Sequence, residues 1–132
     1  MTSTTKTASA KTKLVIETFY WLPYCSTCVK AEQHLLSKGA SIQKYVNLKE
    51  NPLSKTEVLK LCKLIGGPDK LFSKRAMKYR SMGLDKMTLG DEDLVGYMCQ
   101  EYTFIKRPVL VTNDDKILAG FSAKQYDALL GN

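Results

Sequence analysis

The chain has 132 residues, 44% of them hydrophobic, and a formal net charge of +7. That is the length and make-up of one soluble globular domain with enough apolar side chain for a core. It excludes a membrane-spanning segment, since no apolar run approaches the roughly 20 residues required, and the N-terminus lacks the apolar h-region of a secretory signal.

Residues 1–12 are rich in Thr, Ser, Ala and Lys and carry no acid. This composition predicts a disordered basic tail. As an organellar address it lacks arginine and an amphipathic face. Lys13 to Phe19 reads as a strand from its β-branched and aromatic residues, and Tyr20 to Tyr24 reads as a loop. From Ser26 to about Lys38, Val29, Ala31, Leu35 and Leu36 form a helical stripe, and Gly39 stops it. Ser41 to Asn47 is a second strand. A strand–helix–strand unit with so short a return predicts a right-handed crossover and parallel pairing.

Pro52 interrupts the chain. Ser54 and Glu57 form a capping box for a helix over Lys55–Ile65, in which Val58, Leu61, Cys62 and Ile65 recur at helical spacing. Gly66-Gly67-Pro68 ends it. A third helix is expected over Asp69–Tyr79, with a turn at Gly83. Asp91-Glu92-Asp93 opens a fourth, expected to run to about Tyr102. After Ile105-Lys-Arg-Pro108 come two short strands, Val109–Thr112 and Lys116–Ala119, joined by the turn residues Asn113-Asp114-Asp115. Ser122 with Gln125 caps a last helix ending near Leu130.

The order β-α-β, three helices, β-β-α predicts an α/β protein: a thioredoxin-like four-stranded mixed sheet with an inserted helical subdomain. The expected core is 13–50 and 104–132, with the insertion at 51–103, all within one domain over residues 13–132. The densest basic stretch, Lys70 to Arg80, reads as a solvated helix face. A basic surface also attracts anionic substrates or acidic protein patches. No nucleic-acid-binding signal accompanies it, so no direct nucleic-acid partner is expected.

The chemistry concentrates at Tyr24-Cys-Ser-Thr-Cys28. Without export the expected location is the cytoplasm, which is reducing, so four cysteines read as thiols rather than structural disulfides. Cys25 stands where a strand hands over to a helix, and the free N–H groups of a helix start favour a thiolate. Positions i and i+3 share a helix face, so Cys25 would attack and the shielded Cys28 would resolve the mixed disulfide or sulfenate. C-x-x-C is also half of many zinc sites. Zinc needs four ligands, and Cys62, Cys99 and His34 offer no second close pair, so no metal is expected. Cys62 and Cys99 read as core residues, and His34 as a surface helix residue. Pro108 precedes a strand, where thioredoxin-like folds place a cis-proline. The ordinary preference of X-Pro bonds makes a trans proline opening an edge strand the default expectation.

Four stretches together carry a family likeness: Tyr24-Cys-Ser-Thr-Cys-Val-Lys-Ala31, Lys74-Arg75 with Tyr79 and Met82-Gly83-Leu84, Ile105-Lys-Arg-Pro-Val-Leu110, and Gly120-Phe121. The set resembles the arsenate reductase (ArsC)/Spx family over about Leu14 to Leu130. The resemblance implies a thiol-based oxidoreductase acting on a disulfide or oxyanion. Cys25 would be its nucleophile and Cys28 the resolving thiol. Arg107 would stabilise negative charge, because a guanidinium holds an oxyanion in a bidentate fork. Arg75, with Ser26, Thr27 and Pro108, completes the implied substrate-binding set. The residues alone leave Arg107 open to a surface ion pair with a nearby acid, and Arg75 to simple solvation.

A third family arginine would be expected after Leu118, where this chain has Ala119-Gly120; that argues against efficient arsenate reduction. No tightly bound cofactor is implied. The electron donor would be glutathione or a thioredoxin/glutaredoxin, and the partner a small thiol or redox protein. The alternative implied by the Spx branch is a redox-sensing transcriptional regulator that binds RNA polymerase, through the C-terminal domain of its α chain. This sequence stops at Asn132 without the basic C-terminal extension of that branch.

Overall fold

The computed structural model describes residues 14–131; the expected N-terminal tail, and Lys13 at the start of the first strand, lie outside them. Strand β1 (Val15–Trp21) leads through helix α1 (Ser26–Ser37) to β2 (Ser41–Asn47). Helices α2 (Lys55–Ile65), α3 (Pro68–Leu71), α4 (Met77–Ser81) and α5 (Asp91–Gln100) follow, with short 3-10 turns at Leu84–Lys86 and Tyr102–Phe104. The chain returns through β3 (Val109–Thr112) and β4 (Ile117–Ala119) and ends in α6 (Ala123–Leu130).

The sheet order is β2-β1-β3-β4. β1 and β2 are parallel, as the crossover argument requires, and β3 is antiparallel to both β1 and β4. Strand alternation then divides the core. Leu110 of β3 joins Ile16, Phe19, Ala31, Leu35 and Tyr126 on the face covered by α1 and α6. Its neighbours Val109 and Val111 join Leu61, Leu71, Met98, Phe104 and Ile105 on the face covered by the segment between β2 and β3. A four-stranded mixed sheet of this order, with helices on both faces and a helical segment between β2 and β3, is the thioredoxin-like architecture that the element order predicts.

Three local expectations are corrected. First, β1 extends to Trp21, so Tyr20 and Trp21 are not loop. Tyr20 sits opposite both Val46 and Val109, and Trp21 opposite Asn47, so cross-strand pairing overrides the local turn signal. Second, the single helix expected over Asp69–Tyr79 breaks into α3 and α4. Phe72 leaves the helix to form a β-bridge with Ile105, Ser73 N–H donates to the Phe104 carbonyl at 2.7 Å, and Lys106 N–H donates to the Leu71 carbonyl at 2.9 Å. The Phe72 and Phe104 rings stack at 5.2 Å. Tertiary contacts of this kind outweigh weak helix propensity.

Third, α5 stops at Gln100 because Glu101 is extended (φ −143°, ψ 114°). Helix α2 matches its sequence reading. The Ser54–Glu57 capping box closes in both directions, and Gly66 ends the helix at φ 97°, a left-handed conformation that glycine adopts without strain.

Candidate active site

Cys25 is the N-cap residue of α1, in extended conformation (φ −87°, ψ 118°), and the first turn holds no acid. Its own N–H is used, donating to the Leu22 carbonyl at 3.1 Å. Its thiol closes no capping hydrogen bond, so the sulfur is left at the positive end of the helix. Partial burial pushes the Cys25 thiol up. The N–H of Cys28, the Cys28 thiol, the N–H of Thr27 and the charge of Arg107 together outweigh it and leave its pKa below that of an ordinary cysteine. This is the thiolate-favouring environment expected where a strand hands over to a helix.

Cys28 is fully buried. Burial, then the adjoining Cys25 side chain, push its pKa up to about 12 against an opposing backbone hydrogen bond at Leu22. The two thiols, one helical turn apart, are therefore unequal: Cys25 ionises first and Cys28 keeps its proton. All four cysteines are free thiols.

Cys25 opens on a cleft of about 740 Å³. Thr27 lines it from α1, Ser73, Lys74 and Arg75 from the α3–α4 connection, and Lys106 and Arg107 from the segment before β3. Ala119 and Gly120 form the wall at the end of β4, where the family resemblance would place a third arginine. Ser26, the first residue of α1, is exposed and outside this wall. Pro108 is buried and also outside it; its carbonyl accepts the Gly120 N–H at 2.7 Å and so fixes the wall. The Arg107–Pro108 peptide is cis, not the trans bond expected by default.

Arg107 makes no ion pair among the described residues, which corrects the surface-pair alternative. Its Nη1 donates to the carbonyls of Thr103 (3.4 Å) and Ile105 (3.2 Å). Its Nε is buried and finds no acceptor among the described residues, a costly state for a charged donor unless an acceptor arrives. Arg75 is exposed and lines the cleft mouth.

Sequence reasoning missed Lys74, Lys106 and Tyr24 as neighbours of the site. Lys74 and Lys106 flank the two singled-out arginines in sequence, which is the signal that could have found them. Tyr24, 65% exposed beside Cys25, has its hydroxyl pKa raised first by a hydrogen bond with Tyr102; nothing in the sequence links the two. His34 is not a free surface residue. Its Nε2 lies 2.8 Å from Asp127 Oδ1, and its ring meets those of Phe121 and Tyr126 edge-on. Cys62 is buried as expected, whereas Cys99 is half-buried. Both line a separate groove of about 790 Å³ between α2 and α5, which shares no residue with the Cys25 cleft. Among the described residues no group of three or more His, Cys, Asp or Glu is placed to hold a metal, and no helix is long and apolar enough to cross a membrane.

The model of the ArsC family matches residues 20–129. The chain belongs to the ArsC family. It is 33% identical over 113 residues to the uncharacterized protein YusI of Bacillus subtilis, covering 83% of this chain and 94% of YusI. It is 30% identical over 96 residues to an arsenate reductase of Escherichia coli, covering 72% and 67%. Among solved structures, SACOL0876 from Staphylococcus aureus superposes with a TM-score of 0.71 at 28% identity, covering 84% of this chain and 95% of that one. In this ArsC-family chain, the segments Cys25 to Ala31 and Ile105 to Leu110 meet at the cleft described above.

Proposed function

We propose that this ArsC-family chain is a cytoplasmic thiol-based reductase acting on a disulfide or an oxyanion. The observation that carries the reading is the pairing of Cys25, at the helix start beside Arg107, with a buried Cys28 one turn away. The Cys25 thiolate attacks the substrate sulfur or the oxyanion centre. Arg107, whose Nε has no acceptor among the described residues, takes the developing negative charge. Cys28 then displaces the product from Cys25, giving up its proton and leaving a Cys25–Cys28 disulfide. Glutathione or a thioredoxin/glutaredoxin restores the two thiols. The likeness to named arsenate reductases supports an oxyanion substrate. The Ala119–Gly120 wall, which lacks a further cation, supports a disulfide over arsenate.

Turnover of hydroxyethyl disulfide and of arsenate, each with glutathione-linked or thioredoxin-linked electron supply, tests this reading. Cys25→Ser is expected to abolish whichever activity is present. Activity retained in that variant removes Cys25 from the mechanism.

A second reading draws on the exposed basic residues at the cleft mouth, Lys74 and Arg75. A dithiol beside such a surface suits a redox-dependent binder of RNA polymerase, docking on the C-terminal domain of the polymerase α chain. Equal binding by the oxidised and reduced forms would discard it.

A further inference from the structure

Helix α4 contributes no buried residue, although elements of a packed domain normally hold one face against the core. It is tethered at its edges. The Tyr79 ring meets Phe72 at 5.9 Å, and Lys78 Nζ pairs with Glu101 Oε1 at 2.7 Å. What it presents outward is apolar: Met77 is 89% exposed, and Met82 and Met87 just beyond it are 46% and 54% exposed. Exposed apolar side chains gathered in one segment mark interaction surfaces, and methionine is suited to them because its flexible thioether moulds to a partner.

The charge of the same segment is one-sided. Lys74, Arg75, Lys78, Arg80 and Lys86 stand against a single acid, Asp85. Lys74, Arg75, Arg80 and Lys86 have no ion-pair partner among the described residues. The strip is continuous with the active-site cleft, since Lys74 and Arg75 line both.

We infer that residues 74–87 are a docking surface for an acidic protein partner whose own pair of thiols is delivered to Cys25. The carboxylates of that partner meet the cations, and its apolar side chains cover Met77, Met82 and Met87. Delivery to Cys25, and with it the choice of a protein over a lipid surface, rests on the reductase reading; capture of an acidic, apolar chain by the strip does not. In the delivery step a partner thiolate attacks Cys25 Sγ of the oxidised pair, forming a mixed disulfide and releasing Cys28 as a thiol. The partner's second thiol then displaces Cys25. Two electrons and two protons pass, leaving the partner as a disulfide and Cys25 and Cys28 reduced. A phosphate backbone would use the cations but leave the methionines uncovered. A flat lipid surface would use both, yet could not carry a thiol down to the half-buried Cys25.

The test is a titration of the Cys25→Ser protein, followed by the methyl resonances of Met77, Met82 and Met87. The probe is a synthetic peptide of glutamate and leucine. The controls are the same peptide with glutamine for glutamate, phosphatidylserine vesicles, and a single-stranded oligonucleotide. Saturable shifts with the acidic peptide are expected. Affinity should be about tenfold weaker for the glutamine peptide, and about tenfold weaker for protein carrying Arg80→Glu with Lys86→Glu. Addition of salt should also weaken it.

No saturable shift, equal affinity for the glutamine peptide, or a stronger response to vesicles or oligonucleotide would each overturn the docking surface. Because the titrated protein lacks Cys25, the outcome is independent of thiol chemistry. Failure of the reductase reading shows separately, as disulfide turnover that survives Cys25→Ser.

Discussion

His34 Nε2 and Asp127 Oδ1 lie 2.8 Å apart and join the helix that starts at the active-site cysteines to the last helix of the chain. The pair is partly shielded, at 20% and 33% side-chain exposure, and the imidazole also packs on Phe121 and Tyr126. Phe121 borders the Cys25 cleft, so the pair steadies one wall of the site from behind. His34→Ala is expected to lower the unfolding free energy by about 1–2 kcal/mol through the lost hydrogen bond and ring contacts. Urea denaturation of the variant checks this. A loss below the error of the measurement would reduce the pair to a surface contact.

The unequal thiols make a labelling prediction. Alkylation of Cys25 by iodoacetamide, followed against pH, should show a midpoint below that of free cysteine, because the N–H groups of Cys28 and Thr27 and the Arg107 charge outweigh partial burial. Arg107→Gln removes one of those contributions. It should move the midpoint up and slow labelling several-fold at neutral pH. Cys28 should resist labelling in the folded protein, being fully buried. A Cys25 midpoint at the free-cysteine value would contradict the helix-start argument.

Cys28 also makes stability depend on pH. Its pKa in the folded chain is raised to about 12, so the folded state holds a proton that the unfolded state releases first. The unfolded state then binds fewer protons, and stability falls as pH rises from about 9 toward 12. Cys25 behaves in the opposite sense. Its lowered pKa adds stability that is present above the unfolded value and lost as pH falls through the folded one. The buried Tyr126 and the partly buried Tyr20, both with raised pKa, add to the alkaline decline. The Cys28 share is isolated by comparing the native protein with Cys28→Ala, whose stability should drop less steeply over that range. Parallel curves would show that Cys28 carries no such linkage.

Phe104 connects core to site. It is 1% exposed, stacks on Phe72 and meets Tyr97 edge-on. Its carbonyl accepts the Ser73 N–H, which holds the α3–α4 connection against the segment bearing Arg107. Phe104→Ala is expected to cost about 3–5 kcal/mol by opening a cavity in the core. Phe104→Leu should cost less, and should reduce turnover beyond its effect on folding, by loosening the connection that carries Ser73, Lys74 and Arg75. Thermal melts and kinetics of the two variants separate these effects.

The parts of the molecule legible in the sequence are those whose signals are local. The capping box of Ser54 and Glu57, the β-branched run of Val109–Thr112 and the glycine after α2 each fix an element through neighbours in the chain. The C-x-x-C placement likewise locates Cys25 at its helix end. What the sequence hides depends on distant partners. Phe72 breaks a plausible helix because Ile105 offers it a β-bridge. His34 reads as surface until Asp127, far along the chain, reaches it. The residues alone leave Arg107 open to a surface ion pair, until its Nε is seen to be buried with no acceptor among the described residues. Lys74 and Lys106 enter the cleft only through the packing that brings their segments together.

The central pairing of the sheet has a kinetic consequence. Ile16 of β1 meets Thr112 of β3, so well over half of the chain lies between the two sides of that ladder. Contacts so remote in sequence form late and slowly. On the ribosome, the first strand–helix–strand unit emerges with one edge unpaired and its two sulfurs not yet walled in by the rest of the fold. Until the last strands arrive, the nascent chain presents an adhesive edge and a half-assembled dithiol together, and its yield will depend on how quickly synthesis closes that interval.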